Sequence, residues 1–274
     1  MWPVIYDFGI IRFLGFEFHL AIYSYGFMLV VAFYTCYALL LKEMRRLGYG
    51  DKLASDILTA AAIGGIVGSK IYYLLENFDR VLGDPTGMIF SGAGLVFLGG
   101  LMGGTLGVTI VLKKNDLPWL TFADIVAPLL ILGYAIGRVG CFLVGDDYGL
   151  PTRFLIGMTF ENGSPPTTYG AFTYNYPWVD LSGWDSGEVI TVYPTQIMET
   201  IICLGIFYFL WKKRKTIQVK GSLFFTYLIY AGIERFFMEF IRINPKYIWI
   251  VQPAFGFSGA QLISVSYTHL TLPT

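Results

Sequence analysis

Six stretches of roughly twenty apolar residues follow one another along this chain of 274 residues. They are Phe18–Leu41, Leu53–Leu75, Gly92–Leu112, Trp119–Gly137, Tyr193–Trp211 and Ser222–Ile241. A helix needs about 20 apolar residues to cross a bilayer. Inside lipid every backbone N–H and C=O must be satisfied within the segment, which favours helices. The runs therefore predict an all-α, polytopic membrane helix bundle. A seventh run begins at Phe257–Val265 and stops early, and Ser266–Thr274 is polar and threonine-rich. Residues 1–265 read as one integral-membrane domain. Residues 266–274 read as an atypical tail, a truncation or a non-native end.

The charges agree. Only 14% of residues are charged, against about 25% in soluble domains, so an ordinary soluble protein is excluded. The formal net charge of +0 leaves no global field for nucleic acid. Cys36, Cys141 and Cys203 are far apart, with no CxxC pair, and the two histidines are His19 and His269. A disulfide scaffold and a cysteine- or histidine-based metal centre are excluded. Met1–Gly15 lacks the basic n-region and clean apolar core of a cleavable signal peptide.

Basic residues orient the runs. Lys42, Arg45, Arg46 and Lys52 follow the first run, Lys113 and Lys114 the third, and Lys212, Lys213, Arg214, Lys215 and Lys220 the fifth. The alternate connections hold six, Arg12, Arg80, Arg138, Arg153, Arg242 and Lys246, outnumbered by local acids such as Asp146, Asp147, Glu161, Asp180, Asp185 and Glu188. Lys and Arg concentrate on the cytoplasmic side, so the N-terminus is expected outside. The long connection Arg138–Val192, rich in Gly, Pro and aromatics, is then an external cap with one or two short strands.

Glycines recur at four-residue spacing: Gly64/Gly68, Gly99/Gly103/Gly107, Gly100/Gly104 and Gly133/Gly137. Such spacing lets helix backbones approach closely in lipid. Packing alone explains most of these. Gly99 and Gly100 are the candidates for bare backbone that admits a ligand headgroup.

Charges at membrane depth are costly and mark function. Asp56 and Asp124 lie near the inner ends of their runs and read as structural caps. The others fall at one level. Counted along the helices at 1.5 Å per residue, Tyr25, Lys70, Gly99, Glu199 and Arg235 lie roughly 8–11 Å below the outer surface, with Arg138 just above. Arg235, Glu239 and Arg242 follow i, i+4, i+7 and share a helix face. Two readings are weighed, and the convergence of the whole layer favours the second. One is a buried ion-pair network such as Arg235–Glu239 or Arg138–Glu199. The other is a water-accessible cavity opening to the outer leaflet, in which arginines meet phosphate through the guanidinium fork.

The stretch Gly137-Arg138-Val139-Gly140-Cys141-Phe142-Leu143-Val144-Gly145-Asp146-Asp147-Tyr148-Gly149 resembles the signature of the prolipoprotein diacylglyceryl transferase family. Ser24-Tyr25-Gly26, Gly68-Ser69-Lys70, Leu98-Gly99-Gly100, Tyr193-Pro194-Thr195-Gln196 with Glu199, Glu234-Arg235-Phe236 with Glu239 and Arg242, and Gly259-Ala260-Gln261 resemble further family motifs in order. The resemblance implies a seven-helix enzyme of the bacterial inner membrane, with its N-terminus outside and no metal or organic cofactor. It implies transfer of the diacylglyceryl group of phosphatidylglycerol to the lipobox cysteine of a prolipoprotein signal peptide. It also suggests a monomer. By this resemblance Arg138 and Arg235 clamp the departing phosphate. Tyr25, Glu199, Glu239, Arg242, Lys70 and Asp146 orient headgroup or arginines, and Gly140 and Gly149 shape the backbone.

The chain departs from the family at Leu98, where a histidine precedes Gly99-Gly100, and at Tyr193, where the second histidine motif stands. Leucine transfers no proton. The thiol is then expected to ionise in the field of the arginines or through Tyr25, Tyr193 or Asp146. The alternative is a divergent member that binds phospholipid with weak or no transfer. A small transporter is the less favoured class, because the polar layer is one-sided and no internal repeat is evident. Cys141 reads as a small buried residue beside Arg138.

Overall fold

Chain alternation decides the first structural element. From Phe16 to Tyr23, aromatic and aliphatic residues alternate with smaller or polar ones, the period of a strand. In the computed structural model, which describes residues 1–13, 16–90, 96–217, 219–244 and 261, Phe16–Tyr23 (β2) pairs antiparallel with Val4–Phe13 (β1), from Val4 opposite Tyr23 to Phe13 opposite Phe16. Gly9 takes a left-handed φ of 76° at an irregularity in this ladder, and its N–H donates to Asp7 Oδ1 at 2.8 Å. The hairpin corrects the all-α expectation, and it shortens the first apolar run. The helix starts at Ser24, not Phe18, because the run joins a strand to a helix without a polar break.

Among the described residues the fold is otherwise helical: Ser24–Arg46 (α1), Asp51–Glu76 (α2), Phe78–Gly83 (α3), Pro85–Phe90 (α4), Phe97–Lys114 (α5), Trp119–Val144 (α6), Tyr169–Asn175 (α7), Thr195–Lys213 (α8) and Ser222–Met238 (α9). The long helices α1, α2, α5, α6, α8 and α9 coincide with the six apolar runs. By length and composition, α1, α2 and α6 are sufficient to cross a membrane. The seventh run and the tail lie outside the described residues, apart from Gln261.

The contacts divide the chain into two compact units, 1–36 with 126–274, and 37–125. In the second unit α2 packs along α5 through glycines. A Cβ on Gly64 would collide with the carbonyl oxygen of Gly103, and one on Gly107 would lie 2.5 Å from the Ala60 carbonyl. This is backbone-to-backbone packing that only small residues permit. Ser69 Oγ donates to Val96 O at 2.9 Å across the same pair.

In the first unit α6, α8 and α9 enclose Ile131, Ala135, Cys203, Leu210 and Leu223. Beyond α6, residues 145–194 wrap a separate aromatic core of Tyr148, Phe160, Phe172, Ile190 and Val192. Tyr148 stacks on Phe160 and Phe172 with centroids 5.4 and 6.1 Å away. The short strands expected here reduce to isolated bridges, such as Pro151–Val192 and Thr168–Val189, with the helix α7 beside them. Pro151, Pro165, Pro166 and Pro177 carry no N–H for a ladder.

Candidate functional site

The site grows from one turn. Helix α6 runs six residues past Arg138 to Val144, so Arg138 lies inside the helix rather than at its end. Gly145, with φ 74°, then reverses the chain, and Asp147 follows at φ 57°. The left-handed region is sparsely used by non-glycine residues, with Asp and Asn the usual exceptions. The start of α8 anchors this turn. Gln196 Nε2 donates to Asp146 O at 2.5 Å, and Thr195 Oγ1 donates to Asp147 O at 3.0 Å.

These anchors bring four ionised side chains into a closed ring. Arg138 Nε lies 2.5 Å from Glu199 Oε2, and Arg242 Nη1 donates to Glu199 Oε1 at 3.0 Å. Asp147 closes the ring, its Oδ2 accepting from Arg138 Nη1 and its Oδ1 from Arg242 Nη2, the latter at 2.5 Å. Tyr134 Oη donates to Glu199 Oε2 at 2.6 Å. Glu199 is fully buried, and buried charges persist only when paired and hydrogen-bonded. The network continues outward, with Arg242 Nε 3.7 Å from Glu239 Oε2 and Arg235 Nη2 3.2 Å from the same oxygen. Arginines and carboxylates alternate along Arg138, Glu199, Arg242, Glu239 and Arg235.

The two ion pairs named from sequence, Arg138–Glu199 and Arg235–Glu239, both form. Arg242 is corrected in place. It lies beyond the end of α9 at Met238 rather than on the helix face. Gly149 holds it there, through an antiparallel bridge to Arg242 and the bond from Leu150 N to Ile241 O at 2.8 Å. A Cβ on Gly149 would meet Ile241 O at 2.6 Å and Thr195 Cγ2 at 2.8 Å. Gly149 is thus a crossing point of three backbones. Gly140 packs on α1, where a Cβ would lie 3.2 Å from Tyr25 Cδ2 and from Met28 Cβ. Tyr25 is the second residue of α1, which moves it from the expected depth to the helix mouth beside Gly140.

Lys70, Gly99 and Gly100 belong to the second unit. Lys70 Nζ lies 5.4 Å from the Tyr73 ring centroid. The bare backbone expected at Gly99 and Gly100 is taken up by α2. A Cβ on Gly99 would overlap Tyr72 Cβ and lie 2.5 Å from Gly68 O, and one on Gly100 would lie 2.7 Å from Ser69 Oγ. Helix packing fills the space read as headgroup space.

Sequence reasoning missed Asp147 and Tyr134. The Asp146-Asp147 pair after a glycine was the available signal for a turn, and only the ring shows which carboxylate faces the arginines. Asp146 Oδ1 is buried without a hydrogen-bond partner among the described residues. Burial, then repulsion from Asp147, pushes the Asp146 carboxyl up to about 6. Burial would raise Asp147 likewise, but Arg242 and Arg138 hold it below the ordinary carboxylate range. The described residues contain no group of His, Cys, Asp and Glu arranged to hold a metal.

Apolar helices carrying a buried, alternating arginine–carboxylate network define a helical membrane protein. The family model for prolipoprotein diacylglyceryl transferase matches residues 14–272. The chain belongs to this family. It is 35% identical over 237 residues to phosphatidylglycerol–prolipoprotein diacylglyceryl transferase 2 of Clostridium perfringens, covering 85% of this chain and 84% of the relative. It is 31% identical over 230 residues to the phosphatidylglycerol–prolipoprotein diacylglyceryl transferase of Clostridium tetani, covering 84% of each. It is 28% identical over 287 residues to that of Leptospira interrogans, covering 88% of this chain and 84% of the relative.

Proposed function

We propose that this chain transfers the diacylglyceryl group of phosphatidylglycerol to the lipobox cysteine thiol of a prolipoprotein, the first step of lipoprotein maturation. The observation that carries this reading is the family match across the whole Gly137–Gly149 stretch, from which Arg138 and Asp147 reach the arginine–carboxylate network. In the reaction the cysteine sulfur attacks the glyceryl carbon. A carbon–sulfur bond forms, and the carbon–oxygen bond to phosphate breaks with its electron pair on the leaving glycerol phosphate. Cationic groups aimed at that oxygen lower the barrier.

In the resting state Arg235 is the arginine of the network most open to the leaving phosphate. Its side chain is 30% exposed, and among the described residues its ion pair is to Glu239. Arg138, with Glu199 and Asp147 on its guanidinium, holds the network in the resting state. Leu98 accepts no proton, so we assign the thiol proton to Asp146, whose carboxyl lies against Cys141 and carries a buried oxygen without a partner among the described residues. A base matched to the working pH transfers protons most efficiently.

The reading also comprises a bacterial inner-membrane location, multiple spans with the N-terminus outside, residues 145–194 as an external cap, and a monomer within a lipid bilayer. The excess of Lys and Arg after the first, third and fifth runs supports that orientation. Leu98 favours a second reading, a relative that binds phospholipid without turnover. Incubating the purified protein with phosphatidylglycerol and a lipobox peptide separates the two. Transfer gives a peptide heavier by one diacylglyceryl group. An unmodified peptide, under conditions where a histidine-bearing relative works, supports binding without turnover.

A further inference from the structure

One carboxylate lies across both central arginines. Asp147 offers one oxygen to Arg138 Nη1 and the other to Arg242 Nη2. The Asp147 side chain is 38% exposed, against 5% for Arg138 and 6% for Arg242, while Glu199 behind them is at 0%. Asp147 is therefore the member of the ring that stands between the guanidinium groups and the open side. A phosphodiester presents the same pattern, two oxygens sharing one negative charge, and guanidinium forks bind either group.

The main chain of Asp147 is held apart from its carboxylate. Its carbonyl accepts from Arg138 Nη2 at 3.2 Å and from Thr195 Oγ1 at 3.0 Å. Rotation about χ1 can withdraw the carboxylate while the turn stays in place. Exchange of one monoanion for another keeps Arg138, Arg242 and Glu199 balanced. Adding a phosphodiester with Asp147 still bound would set a third anion against two cations, which like-charge repulsion disfavours.

We propose that Asp147 is an internal stand-in for the headgroup phosphate. It holds Arg138 and Arg242 in register between turnovers and yields them to the phosphodiester of an anionic lipid. The inference rests on phosphatidylglycerol as the donor. It also accounts for release. The leaving phosphate monoester carries about −1.5 to −2 charge and would otherwise stay on two arginines. The returning carboxylate competes it off.

The test is Asp147→Asn, which removes the charge, keeps the shape and suits the left-handed backbone. Binding of soluble glycerol phosphate is measured by calorimetry, and binding of phosphatidylglycerol in nanodiscs, both on the full chain. We expect Asp147→Asn to bind each about tenfold more tightly, the scale of one charge-assisted interaction no longer competing, with a lower KM for lipid and slower turnover. Asp180→Asn removes an exposed carboxylate of the same segment, bonded to Ser182 and without a guanidinium contact among the described residues, and should leave both affinities unchanged. If Asp147→Asn fails to fold, Asp147→Gly replaces it, since glycine adopts positive φ freely. Unchanged or weaker binding by the charge-removed variant overturns the proposal. A gain for glycerol phosphate alone also overturns it, by marking a free-phosphate site. Wild-type protein that binds both ligands yet modifies no peptide sinks the transferase reading and leaves the exchange scored on affinity alone.

Discussion

Glu199 Oε2 pairs ionically with Arg138 Nε, 2.5 Å away on α6, although the two residues sit 61 positions apart in sequence. This pair is the pivot of the network. Glu199 also takes Arg242 and Tyr134, so one fully buried carboxylate ties α6, α8 and the turn after α9 together.

Arg138 and Arg235 should fail differently. Arg138→Ala breaks two ion pairs of the ring and leaves Glu199 and Asp147 to share Arg242. Breaking a buried pair costs about 3–5 kcal/mol, so a large fall in thermal stability should accompany loss of transfer. Arg235→Ala removes a partly exposed cation and should abolish transfer with a melting temperature near that of the wild type. Melting curves beside transfer assays check this, and equal destabilisation would refute the division of roles.

Tyr134→Phe deletes the hydroxyl that donates to Glu199. A hydrogen bond to a charged group contributes about 1.5–3 kcal/mol, so the variant should be destabilised by that amount, with transfer slowed but retained. Full stability would show that Glu199 does not need its third donor.

Asp146 sets an expected pH dependence. Its carboxyl is raised to about 6 by burial and by Asp147. A raised carboxyl favours the protonated folded state, so its contribution to stability is present at acidic pH and is lost as pH rises through about 6. Transfer moves the opposite way, because only the carboxylate accepts a proton. The rate should climb through that pH, and Asp146→Asn should be slow and flat across it. A pH profile of the variant that still climbs there would assign the proton elsewhere.

Cys141→Ala should retain most of the activity. The thiol lies 3.6 Å from Arg138 Nη1, a weak contact beside two carboxylates on the same guanidinium. Loss of transfer by a folded Cys141→Ala protein would give this thiol a chemical role.

Gly149→Ala should be among the most damaging single changes, because the added carbon has Ile241 O at 2.6 Å, backbone that cannot yield cheaply. Displacing that segment moves Arg242. Reduced stability and lost transfer together are expected, measured by melting and by peptide modification. An active, stable Gly149→Ala protein would contradict the crossing geometry.

Much of this was legible in residues alone. Apolar length gave the long helices, and spacing four apart gave Arg235–Glu239. The i, i+4, i+7 pattern misled at Arg242, since a helix pattern does not reveal where the helix stops. The ending at Met238 depends on the distant Gly149. Asp147 was hidden for a similar reason. Which of two adjacent carboxylates faces inward depends on the positive φ at Gly145 and Asp147, set by tertiary anchors on α8. The hairpin escaped because an apolar strand running into an apolar helix offers no polar boundary. Gly99 and Gly100 were read as open backbone because sequence shows the glycines of α5 without showing that Tyr72 and Ser69 occupy the space beside them.

The central claim is that the network drives departure of glycerol phosphate as sulfur takes the glyceryl carbon. Phosphorus NMR of a reaction of wild-type protein, phosphatidylglycerol and lipobox peptide, with the modified peptide weighed in parallel, tests it most directly. The account predicts one free glycerol phosphate for each diacylglyceryl peptide, and neither product from Arg235→Ala. Phosphorus that remains entirely in lipid, with the peptide mass unchanged while phosphatidylglycerol is bound, would contradict it.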